Sequence, residues 1–233
     1  MLEMIAFHAC YDLQVLSGKN VDWPWEPGTV LWQQQIVYLF IIISGMSSAC
    51  MKPGKSLRRG IFLIGVGLVI TWVSVWFGQP IHYGVINFMG CAQLLTYLVE
   101  GRLGVLTRVR RRLGSALGML FMLLLVIFTY SAQTGKLKIF GQVLCAWPAW
   151  LYEKNYALLG FPGANFFSTD YVPVLPHIGA FWLGWFLLNW LMDYRAGMLT
   201  VKLAGVLEYV GKHSLIVYLV HQPVLVAMLN MFA

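Results

Sequence analysis

Apolar runs long enough to cross a bilayer recur along this chain, and they limit what it can fold into. They cover roughly residues 1–17, 30–50, 60–77, 82–99, 113–130, 174–192 and 207–230. A helix needs about 20 apolar residues to cross the hydrocarbon, so about seven spans fit. Composition agrees: 59% of the 233 residues are hydrophobic, 11% are charged, and the mean hydropathy is +0.71. A soluble domain carries roughly 25% charged residues, so this chain lacks the polar surface to coat a globule in water. The expectation is an all-α, polytopic transmembrane helical bundle forming one integral membrane domain over residues 1–233. The stretch 137–151 is also apolar, but its shortness and Pro148 suggest a re-entrant or interfacial piece. No internal repeat, low-complexity tract or soluble domain interrupts the pattern. Met1 opens straight into apolar sequence with no basic lead-in or cleavage site, so the first run does not read as a signal peptide.

Lys and Arg orient such a bundle. The turn 51–59 ("MKPGKSLRR") holds four of them, the turn 100–112 ("EGRLGVLTRVRRR") holds five, and Arg195 and Lys202 lie in the turn 193–205. These eleven share one side, whereas the opposite loops hold four: Lys19, Lys136, Lys138 and Lys154. The positive-inside rule puts the basic side in the cytoplasm, and seven spans then give a cytoplasmic amino terminus and an outside carboxyl terminus. The net charge of +7 is mostly topological. "RVRRR" reads as a topology signal or a contact for anionic lipid head groups, and no nucleic-acid partner is implied. Cys10, Cys50, Cys91 and Cys145 are scattered without a CxxC or paired spacing, which indicates neither a metal site nor a disulfide framework.

Polar residues inside the runs carry more information. In "GKHSLIVYLVHQPVLV" (211–226), Ser214, Tyr218, His221 and Gln222 are spaced i, i+4, i+7 and i+8, one face of a helix. That stripe, about 10 Å long, must face the bundle interior because lipid cannot satisfy it. Lys212 and His213 lie a turn lower, near the cytoplasmic end, where a Lys can snorkel. Pro223 removes a backbone donor and frees the carbonyl of Leu219. Interhelical polar glue explains Ser214 and Tyr218 as well as function does. Two His and a Gln beside a proline favour a functional cavity.

"FHACYDL" (7–13) is the second signal. His8 and Asp12 are spaced i, i+4, share a helix face and can hydrogen-bond. A carboxylate beside an imidazole fixes which nitrogen carries the proton and poises it as a base toward an attacking hydroxyl or amine. A charge-neutralised structural pair is the competing reading. A metal site is not indicated, since no third ligand stands at helical spacing. Arg58 and Arg59 open the third run, where guanidiniums serve equally as topology signals or bidentate phosphate holders. His82 reads as interfacial, and Asn87 lies inside the fourth run. The loop 131–173 is rich in aromatics, including Trp147, Trp150, Tyr156 and Phe166. An aromatic belt explains most of them, and stacking on a sugar face is the alternative.

Several segments, in one order, resemble a known family. "FHACYDL", "LFIIISGMSSA" (39–49), "RRGIFLIGVGLVIT" (58–71), "GVINFMGCAQLL" (84–95), "STDYVPVLPHIGAFWLG" (168–184) and "GKHSLIVYLVHQP" (211–223) are together similar to the catalytic-domain-like family of heparan-α-glucosaminide N-acetyltransferase, in its compact bacterial form. The likeness covers nearly the whole chain, and its first and last motifs are the most specific. It implies transfer of an acyl group from cytoplasmic acyl-CoA across the bilayer to a sugar on the outer face. His8 takes the first-span histidine position with Asp12 as partner, and Arg58 and Arg59 take the arginines opening the third span. Lys212, His213 and Ser214 take the basic position and its two followers, and His221, Gln222 and Pro223 take the closing motif. Asp170 lies in the Asp-Tyr-x-Pro-x-x-Pro motif. Departures are the missing Asp…Arg-Gly lead-in, Asn87 where a His is common, and His177 where an aromatic is usual. The lead-in leaves open whether the true amino terminus lies upstream of Met1.

The resulting expectation is a membrane acyltransferase of the bacterial cytoplasmic membrane, using acetyl-CoA and an extracytoplasmic glycan, without a metal. His8, Asp12 and His221 are the catalytic candidates, and Arg58, Arg59, Lys212, His213 and Ser214 the donor-binding ones. Asn87, Asp170, Tyr218 and Gln222 are candidates for substrate contacts. Proton removal by His8 and an acyl-histidine intermediate are both open, as is a homo-oligomeric state. A small proton-coupled transporter would also bury His and Asp, but no repeat or pair of matched broken helices supports it. A non-catalytic membrane partner is the other rival.

Overall fold

The computed structural model describes residues 1–16, 18, 20–103, 111–139, 141–194, 209, 211 and 213–232. Eight helices are described: α1 (Leu2–Tyr11), α2 (Pro27–Ala49), α3 (Pro53–Trp76), α4 (Val85–Leu103), α5 (Arg111–Thr129), the short α6 (Ala149–Glu153), α7 (Val174–Tyr194) and α8 (Ser214–Phe232). Pro27 and Pro53 open α2 and α3, at a position whose missing N–H is no loss. Contacts divide the chain into two compact units, Met1–Phe40 with Gly197–Ala233, and Ile41–Ala196.

In the first unit, α1 runs into a π-helical turn over Asp12–Leu16. Phe7 of α1 is buried, edge-on to Trp32 of α2 at 5.3 Å between ring centres and 5.4 Å from Trp23 of the connecting 3-10 turn. α8 packs on α1 and on the π turn.

The second unit is built on two helix pairs, α3 with α4 and α5 with α7. Lipid offers no hydrophobic drive to pair helices, so close backbone approach must do it, and small residues permit that. A Cβ at Gly60 would overlap Leu94 and crowd the Gly90 carbonyl, and one at Gly90 would overlap Ile64. A close backbone crossing joins the second half of α2 to α7: a Cβ at Gly45 would overlap the Phe181 carbonyl, and one at Gly184 the Ile42 carbonyl. Gln93 of α4 ties three helices, its Oε1 accepting from Ser48 (3.1 Å) and Ser56 (2.7 Å), all three buried. Phe88, Phe181 and Ile41 are almost wholly buried, while Ile61, Phe62, Leu68, Trp72 and Trp76 of α3 stay exposed, as a lipid-facing helix requires.

At the end of this unit where α4 and α7 begin, the segment 168–172 straps the loop before α4. His82 N donates to Ser168 Oγ (2.9 Å), Ser168 Oγ donates back to the His82 carbonyl (3.0 Å), and Val172 N donates to the Tyr83 carbonyl (2.9 Å). Nearby, the Tyr171 hydroxyl donates to the Ala157 carbonyl; burial, with the Tyr83 and Tyr152 phenols close by, pushes its pKa above the ordinary range.

One expectation needs correction. Among the described residues, four helices are long and apolar enough to cross a membrane: Pro27–Ala49, Gly54–Trp76, Leu113–Thr134 and Val174–Met192. Val85–Val99 and Ser214–Met228 are shorter apolar helices. The count is lower than seven because the runs absorbed residues that lie outside helices, such as His82–Gly84, and because α1 has only 10 residues. The chain is nonetheless a multi-pass, helical membrane protein. The stretch 137–151, expected as a re-entrant or interfacial piece, lies outside the candidate spans. It holds most of an antiparallel hairpin, β1 (Lys136–Ile139) and β2 (Gln142–Ala146), followed by α6. "KLKI" alternates polar and apolar residues with a period of two, and Gly141 turns the chain at φ +82°.

The glycine crossing gives the first prediction. Gly184→Val should lower the melting temperature in detergent by several degrees, since overpacking against backbone costs about 1–3 kcal/mol. Gly65→Ala, where a Cβ meets nothing within 4 Å, should leave it unchanged.

Candidate active site

Three elements of the first unit bring polar side chains together. α1 carries His8, the π turn begins at Asp12, and α8 presents Tyr218, His221 and Gln222 on one face. Asp12 is fully buried. Gln222 Nε2 donates to its Oδ1 at 3.0 Å, joining residues 210 apart in sequence. The His8 and His221 rings lie 5.0 Å apart between centres at an interplanar angle of 58°. His221 Nδ1 is 2.7 Å from the Tyr218 carbonyl, and Tyr218 stacks against Phe40 at 6.4 Å. Phe7 meets His8 edge-on at 5.7 Å.

The i, i+4 spacing of His8 and Asp12 suggested a direct hydrogen bond. Among the described residues none joins them. The ladder of α1 loosens at Asp12, whose N–H already points at both the His8 and Ala9 carbonyls, and the carboxylate turns to α8 instead. His8 meets the second imidazole rather than the acid.

Three buried polar atoms of this cluster have no hydrogen-bond partner among the described residues: Asp12 Oδ2, His221 Nε2 and Gln222 Oε1. Nearly all buried polar groups in native proteins are paired, so three orphans together mark a place where chemistry or a ligand supplies the partners. Among the described residues no group of three His, Cys, Asp or Glu is placed to hold a metal ion. An imidazole pair with a carboxylate can accept, hold and release a proton, and an imidazole nitrogen can also carry an acyl group.

Arg58 and Arg59 are exposed near the start of α3, with Arg59 Nη1 3.7 Å from Met51 Sδ. Asn87 of α4 sits where α3 has Gly67, and any Cβ there would overlap the Asn87 amide. Asp170 lies at the amino end of α4, with Val85 N donating to its Oδ2 at 3.4 Å, where a carboxylate is electrostatically favoured. Both Asn87 and Asp170 thus have packing or capping work in the second unit. His213 Nδ1 donates to the Tyr209 carbonyl (2.9 Å), and Ser214 opens α8. Lys212 lies outside the described residues. The residue pattern gave no sign of the Gln222–Asp12 bond, because no local spacing links positions so far apart.

No curated protein and no solved structure matches this sequence. The family described as heparan-alpha-glucosaminide N-acetyltransferase, catalytic, matches residues 1–223, almost the whole chain. With its apolar helices and the His-Asp-His-Gln cluster inside the matched region, this chain belongs to that family of membrane acetyltransferases.

Proposed function

We propose that the protein moves an acetyl group from acetyl-CoA to a glycan of the cell envelope, with donor and acceptor reaching it from opposite faces of the membrane. What carries this reading is the buried cluster of His8, Asp12, His221 and Gln222, in a chain whose family transfers acetyl groups. A charged CoA cannot cross hydrocarbon, so its phosphates stay on the basic, cytoplasmic side. The exposed guanidiniums of Arg58 and Arg59 suit bidentate phosphate contacts there, and Lys212, His213 and Ser214 belong to the same donor set by family resemblance. The outer acceptor is a sugar, presenting a hydroxyl or an amine, with Asn87, Asp170 and Tyr218 assigned to its contacts.

The chemistry is acyl transfer. The acceptor's lone pair attacks the thioester carbonyl carbon while an imidazole removes its proton. The C–S bond then breaks and CoA leaves as the thiolate, which takes the proton back. A variant route puts the acetyl group on His8 before the acceptor attacks. Both routes use an imidazole in a place sheltered from bulk water.

In detergent, acetyl-CoA and CoA should raise the melting midpoint and ATP should not. A ligand at about 100 times its Kd adds about 2.7 kcal/mol to the native state. Absence of any shift in a folded preparation would remove the donor assignment. His8→Ala should abolish transfer while acetyl-CoA still raises the midpoint; full transfer by this variant would show that His8 is not the catalytic group. Arg58→Ala with Arg59→Ala should weaken CoA binding by about tenfold or more, read as a loss of that thermal shift at fixed ligand, because each charged hydrogen bond contributes about 1.5–3 kcal/mol.

A further inference from the structure

The hydrogen-bond roles in the cluster follow from its partners. A carbonyl oxygen only accepts, so His221 Nδ1, 2.7 Å from the Tyr218 carbonyl, must carry the proton. In the neutral ring Nε2 is then a bare lone pair, and it is one of the three orphaned atoms. A carboxylate oxygen also only accepts, so the Gln222 amide must turn its NH2 to Asp12 Oδ1, which leaves Oε1 as an acceptor. Asp12 Oδ2 is the third. All three are acceptors, and no donor among the described residues meets them. Among the described residues His8 makes no comparable bond that would fix its tautomer; it meets His221 ring to ring.

We propose that His221 Nε2, its tautomer locked by the Tyr218 carbonyl, is the atom that takes the acceptor's proton, and that Gln222 is a positioning residue that holds Asp12 toward that incoming group. The assignment rests on the acetyltransferase reading and divides its work: His221 takes the proton, and His8, ring to ring with it, remains the second imidazole that transfer requires. As the acceptor's lone pair bonds to the thioester carbonyl carbon, its N–H or O–H proton passes to His221 Nε2. The C–S bond breaks, the electron pair leaves on sulfur, and the proton passes from His221 to the thiolate. Asp12 Oδ2, unpartnered among the described residues, leaves the carboxylate able to stabilise the charge that develops on the imidazolium. Gln222 acts only through Asp12: without the amide, a buried carboxylate has no neutral partner to fix its plane. The titratable groups on the elements packed against the π turn are Glu3, His8, Cys10 and Tyr11 of α1 and Tyr218 and His221 of α8, with Asp22 and Glu26 flanking the 3-10 turn.

The test uses purified full-length protein, acetyl-CoA as donor and glucosamine as probe acceptor, over a range of pH. Gln222→Met keeps the length of the side chain and removes both hydrogen-bonding groups. Its kcat should fall on the order of tenfold or more, with the KM for acetyl-CoA nearly unchanged. Gln222→Glu can donate to Asp12 only while the pair shares a proton, since two adjacent carboxylates do not both ionise readily. Its activity should therefore recover on the acid side and fall as pH rises, moving the optimum below that of the parent protein. A purely structural role would leave the shape of that profile alone. Nitrogen-15 spectra of the histidine-labelled parent protein should show His221 protonated at Nδ1, a reading that needs no variant to fold. Wild-type kcat in Gln222→Met, an unshifted profile in Gln222→Glu, or His221 protonated at Nε2 alone would each overturn the assignment. A parent protein that binds acetyl-CoA but is unaffected by these changes sinks this inference alone. One that neither binds it nor moves an acetyl group removes the transferase reading as well.

Discussion

A carboxylate wholly withdrawn from solvent among apolar helices is costly, and the unit around it is arranged to meet that cost. Asp12 is 0% exposed. An isolated buried charge costs several kcal/mol even after relaxation, and lipid offers it nothing. The Gln222 amide offsets part of this with one bond to Oδ1. That bond demands that α8 lie along α1 with Gln222 facing inward. The π turn contributes by starting at Asp12, where it redirects the acid away from His8. Among the described residues the second acid oxygen has no partner, so the same arrangement that makes the group tolerable leaves it ready for chemistry.

The other unit solves a different problem with different residues. Helices already surrounded by hydrocarbon gain little by hiding leucines from it, so association depends on contact distance and polar ties. Gly45 and Gly184 let α2 and α7 cross backbone to backbone. Gln93 then adds direction, because its carbonyl oxygen has Ser donors on two neighbouring helices. The large side chains that a soluble protein would bury, such as Trp72 and Trp76, point outward. One residue can serve both packing and recognition here: Asp170 holds the start of α4 while lying in the motif that the family resemblance singles out.

How far the sequence could be read depended on whether a feature was local. The family was visible in ordered short motifs, and the match over residues 1–223 agrees with it. The face shared by Tyr218, His221 and Gln222 was visible because a regular helix of about 3.6 residues per turn fixes that spacing. The same rule failed at His8 and Asp12, since it assumes an α-helix through position 12 and the chain changes to a π turn there. The hairpin over 136–146 was missed because its alternation spans only a few residues and hydropathy averages it away. Span counting erred where run length hid loop residues, as at His82–Gly84 before α4.

By itself the sequence determined the solvent, the helical class, the family and the list of polar residues that hydrocarbon would not tolerate. These are set by composition, by periodicity and by short motifs, all properties of neighbouring residues. Only the tertiary structure decided who partners whom: that Asp12 is held by Gln222 rather than His8, and that His8 faces His221. The Asp12–Gln222 bond closes across 210 residues of chain, and its geometry follows from where two helices pack, which no local spacing encodes.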